Sequence, residues 1–104
     1  MRLLSFAVLL AALTASAHAA EELELGRAIL AENCGRCHAA GAEGDSPLAA
    51  APPFRTLGEN YPVSDLEEAL AEGILSGHPA MPEFAFEPDE IDAIIAYLES
   101  LQPK

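Results

Sequence analysis

Two cysteines and a histidine stand together in the stretch Cys34-Gly35-Arg36-Cys37-His38, and the chain has no other cysteine. Two thiols three residues apart lie on one side of a single helical turn, which suits addition to the two vinyl groups along one edge of a haem. His38 follows directly, where it is placed to ligate the iron. The spacing C-x-x-C-H is typical of covalent attachment of a c-type haem. We therefore predict that Cys34 and Cys37 hold a haem and that His38 is an axial ligand.

Other uses of the paired thiols are less consistent with the surrounding sequence. A disulfide or a thioredoxin-like redox pair belongs to a βαβ context, and no alternating β-branched run occurs near Cys34. A zinc site is also disfavoured, because the one downstream histidine is His78 and no second Cys or His pair stands at finger spacing.

The N-terminus has the pattern of a secretory signal. Arg2 is followed by an apolar run from Leu3 to Leu13 and then by small residues that end in an A-x-A cleavage site at 17–19. A membrane anchor is the alternative, but the apolar run is shorter than the roughly 18 to 20 residues that span a bilayer. We predict a signal peptide at residues 1–19, a mature domain at 20–104, and export to the periplasm with no membrane insertion after cleavage.

The mature segment is small, acidic and poor in large apolar residues. Residues 20–104 contain 39 apolar residues, of which 15 are alanine, so we expect a covalently held macrocycle to supply part of the core. The segment holds all 17 acidic residues and four basic ones, a net charge of −13. This charge disfavours nucleic acid and anionic membranes as partners. It either steers a redox partner with a basic docking surface or serves only solubility.

Acidic first turns and apolar periodicity predict the first and last helices of the mature chain. One helix covers Glu21 to Asn33, with Gly26 on its apolar face so that another helix can approach closely. The last helix opens at Pro88, carries a clear apolar stripe and stops before Pro103. Tyr97 borders that stripe and is predicted to cross the first helix at Gly26.

A long loop and a shorter helix lie between these elements. Residues 39–62 show no sustained period and are predicted to wrap the haem. Within them Pro52-Pro53-Phe54 is a rigid extended element, where a proline carbonyl can accept the proton of the second His38 ring nitrogen. A capping box at Ser64-Asp65-Leu66-Glu67 predicts a helix that ends near Gly77.

The second axial ligand is predicted from a proline-rich segment that follows this helix. Met81 lies between Pro79 and Pro82 and is the one methionine left after signal removal. A thioether in a stiff loop is a common second ligand for a haem iron that already has a histidine. His78, three residues earlier, and a site with no second protein ligand are the alternatives.

Together these residues resemble the class I monohaem cytochromes c. The resemblance covers nearly all of the mature chain and rests on the glycine-bearing first helix, CGRCH, APPF, GHPAMPEF and IDAIIAYLESL, in that order. It implies an all-α fold of three main helices and long loops wrapped around one covalently attached haem c. In that family the cysteines carry the haem, the following histidine is proximal and the late methionine is distal, which here are Cys34, Cys37, His38 and Met81.

The resemblance also implies roles for residues around the ligands. Pro52, with Pro53 as a substitute, would supply the carbonyl behind His38. The chain departs from mitochondrial members in lacking tryptophan and a ring of lysines. The haem propionates therefore need other partners, for which Arg55 and Tyr61 are the candidates.

From these patterns we expect a monomeric periplasmic one-electron carrier rather than an enzyme. No residues resemble a catalytic acid, base or nucleophile set in a pocket. One alternative is a dedicated haem subunit of a periplasmic dehydrogenase or oxidase. Another is a haem enzyme or gas-binding sensor with an open distal site.

Overall fold

The fold consists of helices and turns. The computed structural model describes residues 2–73 and 81–104, and this part of the chain contains no strand. Its α-helices are α1 at Arg2–Cys34, α2 at Glu67–Glu72 and α3 at Pro88–Leu101. Two short 3₁₀ helices precede α2, at Phe54–Glu59 and Val63–Leu66. The predicted all-α class with three main helices is confirmed.

α1 is much longer than the helix predicted at 21–33, because it runs back through the proposed signal segment to Arg2. Every residue from 7 to 25 is exposed, and none of them belongs to the buried core. Leucine and alanine favour helix without tertiary support, which accounts for its conformation. None of the helices described is both long and apolar enough to cross a membrane.

The core forms where α1 crosses α3. Gly26 lies directly against α3, where a methyl group on it would overlap the Ala93 carbonyl and lie 2.8 Å from Tyr97 Cβ. The predicted close approach of Tyr97 to Gly26 is therefore present. Ile94, which follows Ala93 in α3, is completely buried, with 0% exposure. The core comprises Ile29, Leu30, Phe54, Val63, Leu70, Ile91, Ile94, Ile95 and Leu98.

The middle helix starts later than the sequence indicated. The capping box expected from Ser64 to Glu67 is wrong, because residues 63–66 form a 3₁₀ turn that follows Pro62 and lacks a side-chain cap. Proline has a fixed φ and no N–H, so it can begin such a turn without a capping partner. α2 ends at Glu72, since Gly73 adopts a φ of +108° that does not continue a helix. The predicted end near Gly77 lies outside the described residues.

α3 begins at Pro88 as predicted, and two contacts hold the chain just before it. The Glu87 N–H donates to the Glu90 carboxylate at 3.0 Å, which satisfies a donor at the helix start. The Phe86 N–H donates to the Leu70 carbonyl at 2.9 Å. The Phe86 contact thereby ties the segment that precedes α3 to α2.

Candidate functional site

One cavity brings together the cysteine motif and the methionine. Its volume is about 780 Å³, and Cys34, Cys37, His38 and Met81 all line it. Cofactor sites in proteins commonly enclose about 300 to 1,000 Å³ and have mostly apolar walls. The apolar walls here come from all three helices and both connecting segments: Leu30, Leu48, Leu57, Leu66, Leu70, Phe84, Phe86, Ile94 and Leu98.

The cysteine motif forms a turn at the end of α1. Cys34 is the last helical residue, and its carbonyl accepts from the N–H groups of Cys37 at 3.2 Å and His38 at 3.0 Å. These bonds fold the motif back on the helix end, so both thiols and the imidazole reach one cavity. Burial, and to a smaller extent the nearby Cys37, raises the pKa of the Cys34 thiol to about 11. This thiol is therefore neutral at neutral pH, as its apolar surroundings favour.

The His38 imidazole is held on one nitrogen and on one face. Its Nδ1 lies 2.7 Å from the Pro52 carbonyl oxygen. Because a carbonyl can only accept a hydrogen bond, the ring proton sits on Nδ1 and the lone pair of Nε2 is left for a metal. The Phe54 ring stacks on the imidazole with centroids 4.7 Å apart and planes inclined by 22°. The Pro52–Phe54 segment, which leads into the 3₁₀ helix at Phe54–Glu59, thus sets both the tautomer and the orientation of His38.

Met81 approaches the cavity from the segment that precedes α3. Its side chain is half-buried, and Pro82, Phe84 and Phe86 behind it also line the cavity. The two phenylalanine rings stack 6.0 Å apart. The competing ligand His78 lies outside the described residues.

Of the two residues suggested for the propionates, Tyr61 lines the cavity and Arg55 does not. Tyr61 lines the cavity and is 37% exposed, so it stands at the boundary with solvent. Arg55 does not line the cavity, and its Nη1 donates instead to the Gly44 carbonyl at 2.7 Å. Arg36, which sequence reasoning did not select, does line it. The feature of the sequence that could have indicated Arg36 is its position between the two cysteines.

The residues of this cavity fit a covalently bound haem. The thiols of Cys34 and Cys37 stand three residues apart. The Nδ1 atom of His38 is hydrogen-bonded to a carbonyl, which leaves Nε2 for a metal, and the Met81 thioether lines the same cavity. Nitrogen and thioether donors in an apolar enclosure suit a haem iron that changes its charge by one electron. The site therefore has the donors, the attachment points and the volume that such a cofactor requires.

Two comparisons with known proteins agree with this chemistry. The family described as cytochrome c oxidase, cbb3-type, subunit III matches residues 21–98. Cytochrome c6 from Bryopsis maxima is 31% identical over 84 residues, which cover 74% of this chain and 89% of that protein. No solved structure gave a significant match.

Proposed function

Because the chain belongs to the class I c-type cytochromes, we propose that it carries one electron at a time on a single haem held by Cys34 and Cys37 and ligated by His38 and Met81. The family makes the protein a haem-based electron carrier rather than an enzyme. The observation that supports the ligand assignment is the common cavity of about 780 Å³, which all four side chains line.

Each of these side chains has a separate task in the proposal. When bound, the haem supplies an iron that takes up and releases one electron. The two thiols anchor it beside the end of α1. The His38 imidazole donates its Nδ1 proton to the Pro52 carbonyl, which makes Nε2 a better donor and fixes the ring. The Met81 thioether is a soft neutral donor and raises the reduction potential relative to a second histidine.

The walls of the cavity control access of water to the site. Most lining residues are aliphatic or aromatic, and Leu30, Leu70 and Leu98 among them are at most 4% exposed. An apolar enclosure limits solvation of the added charge and thereby tunes the potential at which the electron is accepted. Tyr61, at 37% exposure, and Leu48, at 41%, are among the lining residues that reach solvent.

We further propose that the carrier works in the periplasm after removal of residues 1–19. The proposal is supported by the charged, apolar and small-residue pattern of that segment. It is also supported by the exposure of every residue from 7 to 19, because cleavage after Ala19 would remove none of the buried core residues. The partner should be basic where it docks, because the remaining chain has a net charge of −13.

A second candidate role uses the same haem in a fixed assembly. The matching family is named for a subunit of an oxidase, which supports a dedicated haem subunit as the second candidate. Native purification separates the two roles, because a free carrier elutes alone as a monomer whereas a subunit elutes with its enzyme.

Redox titration of the native protein tests the proposed function. We expect one wave with the slope of a one-electron couple. We also expect slow binding of carbon monoxide or cyanide, because His38 and Met81 would both hold the iron. Rapid binding of carbon monoxide to the reduced native protein would contradict the Met81 assignment. It would favour a haem enzyme or gas sensor with an open distal site.

A further inference from the structure

The side chain of Gln102 joins the end of α3 to the 3₁₀ helix at Phe54–Glu59. Its Nε2 donates to the Phe54 carbonyl at 2.9 Å and to the Leu98 carbonyl at 2.8 Å, and its Oε1 accepts from the Gly58 N–H at 2.8 Å. An amide side chain can donate twice and accept twice, so three of its four bonds are made. The bond to Leu98 is local, whereas those to Phe54 and Gly58 span 48 and 44 positions of sequence.

Phe54 is consequently fixed at both ends. Its N–H donates to the Ala39 carbonyl at 3.0 Å, and its carbonyl is the acceptor for Gln102. Its ring is buried, with 7% exposure, and stacks on His38. A shift of the Phe54 backbone therefore moves the surface on which the imidazole rests.

Pro52 belongs to the same short segment, two residues before Phe54. Its carbonyl is the partner of His38 Nδ1. The segment thus contacts the imidazole twice, through the Pro52 carbonyl at Nδ1 and through the Phe54 ring on its face. Gln102 in turn holds the segment through the Phe54 carbonyl. Gln102 itself does not line the cavity.

We propose that Gln102 is a positioning residue for the His38 imidazole, an inference that rests on the proposed ligation of the haem iron by His38. Loss of its amide leaves the Phe54 carbonyl and the Gly58 N–H without these partners. The Pro52–Phe54 segment then has more freedom, so the Nδ1 bond opens more often and the ring rotates. Such partners behind a ligating histidine orient the ring and set its strength as a donor.

The test compares variants of the haem-loaded protein. Gln102→Leu removes all three bonds with little change in size. Gly58→Ala disrupts the contact between Gly58 and Gln102 without changing Gln102, because the new methyl carbon would lie 2.7 Å from Gln102 Oε1. Ile95→Val is the matched control, since it shortens a buried side chain of α3 that is not among those lining the cavity and costs comparable stability. Ser100→Ala controls for loss of a hydrogen bond within the end of α3.

The readouts are the hyperfine-shifted proton resonances of His38 and the haem methyls, the solvent exchange rate of the Nδ1 proton, and the midpoint potential. The net contribution of one such hydrogen bond corresponds to up to about a tenfold change in an equilibrium constant, so we expect the opening that exposes the Nδ1 proton, and with it the exchange rate, to increase by up to about tenfold in Gln102→Leu. Gly58→Ala should shift the resonances and the midpoint potential in the same direction as Gln102→Leu does. Both controls should leave all three readouts as in wild type.

The positioning role is overturned if Gln102→Leu and Gly58→Ala lower the melting temperature but match Ile95→Val in resonances, exchange and potential. Wild-type protein without hyperfine-shifted His38 resonances would instead contradict the ligation by His38, and the positioning role with it. The wild-type spectrum therefore distinguishes failure of the proposed function from failure of this inference.

Discussion

Replacing Gly26 by alanine tests the close crossing of α1 and α3. The added methyl carbon would overlap the Ala93 carbonyl and lie 2.8 Å from Tyr97 Cβ. A carbonyl within a helix cannot rotate away as a side chain can, so the two helices must separate. Overpacking of this kind costs up to about 3 kcal/mol, whereas alanine is favoured over glycine in a helix interior by about 1 kcal/mol. We expect a net loss of about 2 kcal/mol in the free energy of unfolding.

Thermal unfolding of the haem-loaded protein, followed by circular dichroism, measures this loss. For a domain of this size about 1 kcal/mol shifts the melting temperature by about 4 to 8 °C, so Gly26→Ala should melt about 8 to 16 °C lower. Gly41→Ala is the control, because its methyl group would meet no atom within 4 Å. That variant should be unchanged or more stable by up to about 1 kcal/mol. Equal melting temperatures for the two variants would refute the close crossing.

Three further predictions concern the haem and its partner. Met81→Ala should lower the midpoint potential and admit cyanide, because the iron loses its thioether ligand. Replacing Cys34 and Cys37 with serine should prevent covalent capture of haem and leave the apo chain largely unfolded by circular dichroism, since the core alone is thin. Changing the exposed Glu83 and Glu87 to lysine should slow electron transfer to the native partner and flatten its salt dependence, as the Debye length falls from about 30 Å at 0.01 M to about 8 Å at 0.15 M salt.

Each of these predictions has a control and a contradicting outcome. His78→Ala should change neither the potential nor cyanide binding, and an unaltered optical spectrum in Met81→Ala would mean that another group is the second ligand. A cooperative thermal transition with full helical signal in the cysteine-free protein would show that the chain folds without its cofactor. Lysine at Glu21 and Glu22 should affect the transfer rate less, and a rate independent of ionic strength would leave the acidic surface as a solubility feature.

Sequence reasoning succeeded where the signal was local or where one residue type had one physical explanation. The spacing of Cys34, Cys37 and His38 led to the cavity because all three belong to one turn. Gly26 indicated a close helix crossing because a glycine on an apolar helix face has little other use. Pro88 marked the start of α3 through its fixed φ and its missing N–H.

The remaining features depend on tertiary contacts that no local pattern reports. Ser64 has the spacing of a capping residue, but the chain after Pro62 turns more tightly than an α-helix, so that spacing is not used. Arg55 is a candidate for the propionates in the sequence, but it does not line the cavity, and its guanidinium donates to the Gly44 carbonyl. Gln102 carries no motif, and its bonds become visible only once the end of α3 has been placed beside Phe54.

The proposed attachment of one haem is tested most directly by the intact mass of the protein purified from its native source, measured after denaturation. We predict the mass of a chain that begins at Ala20 or Glu21 plus one haem, with the added mass located by fragmentation on the peptide that contains Cys34 and Cys37. Denaturation should not release the haem, because two thioether bonds hold it. A mass equal to residues 1–104 with no added haem would contradict both the cofactor and the export of the protein.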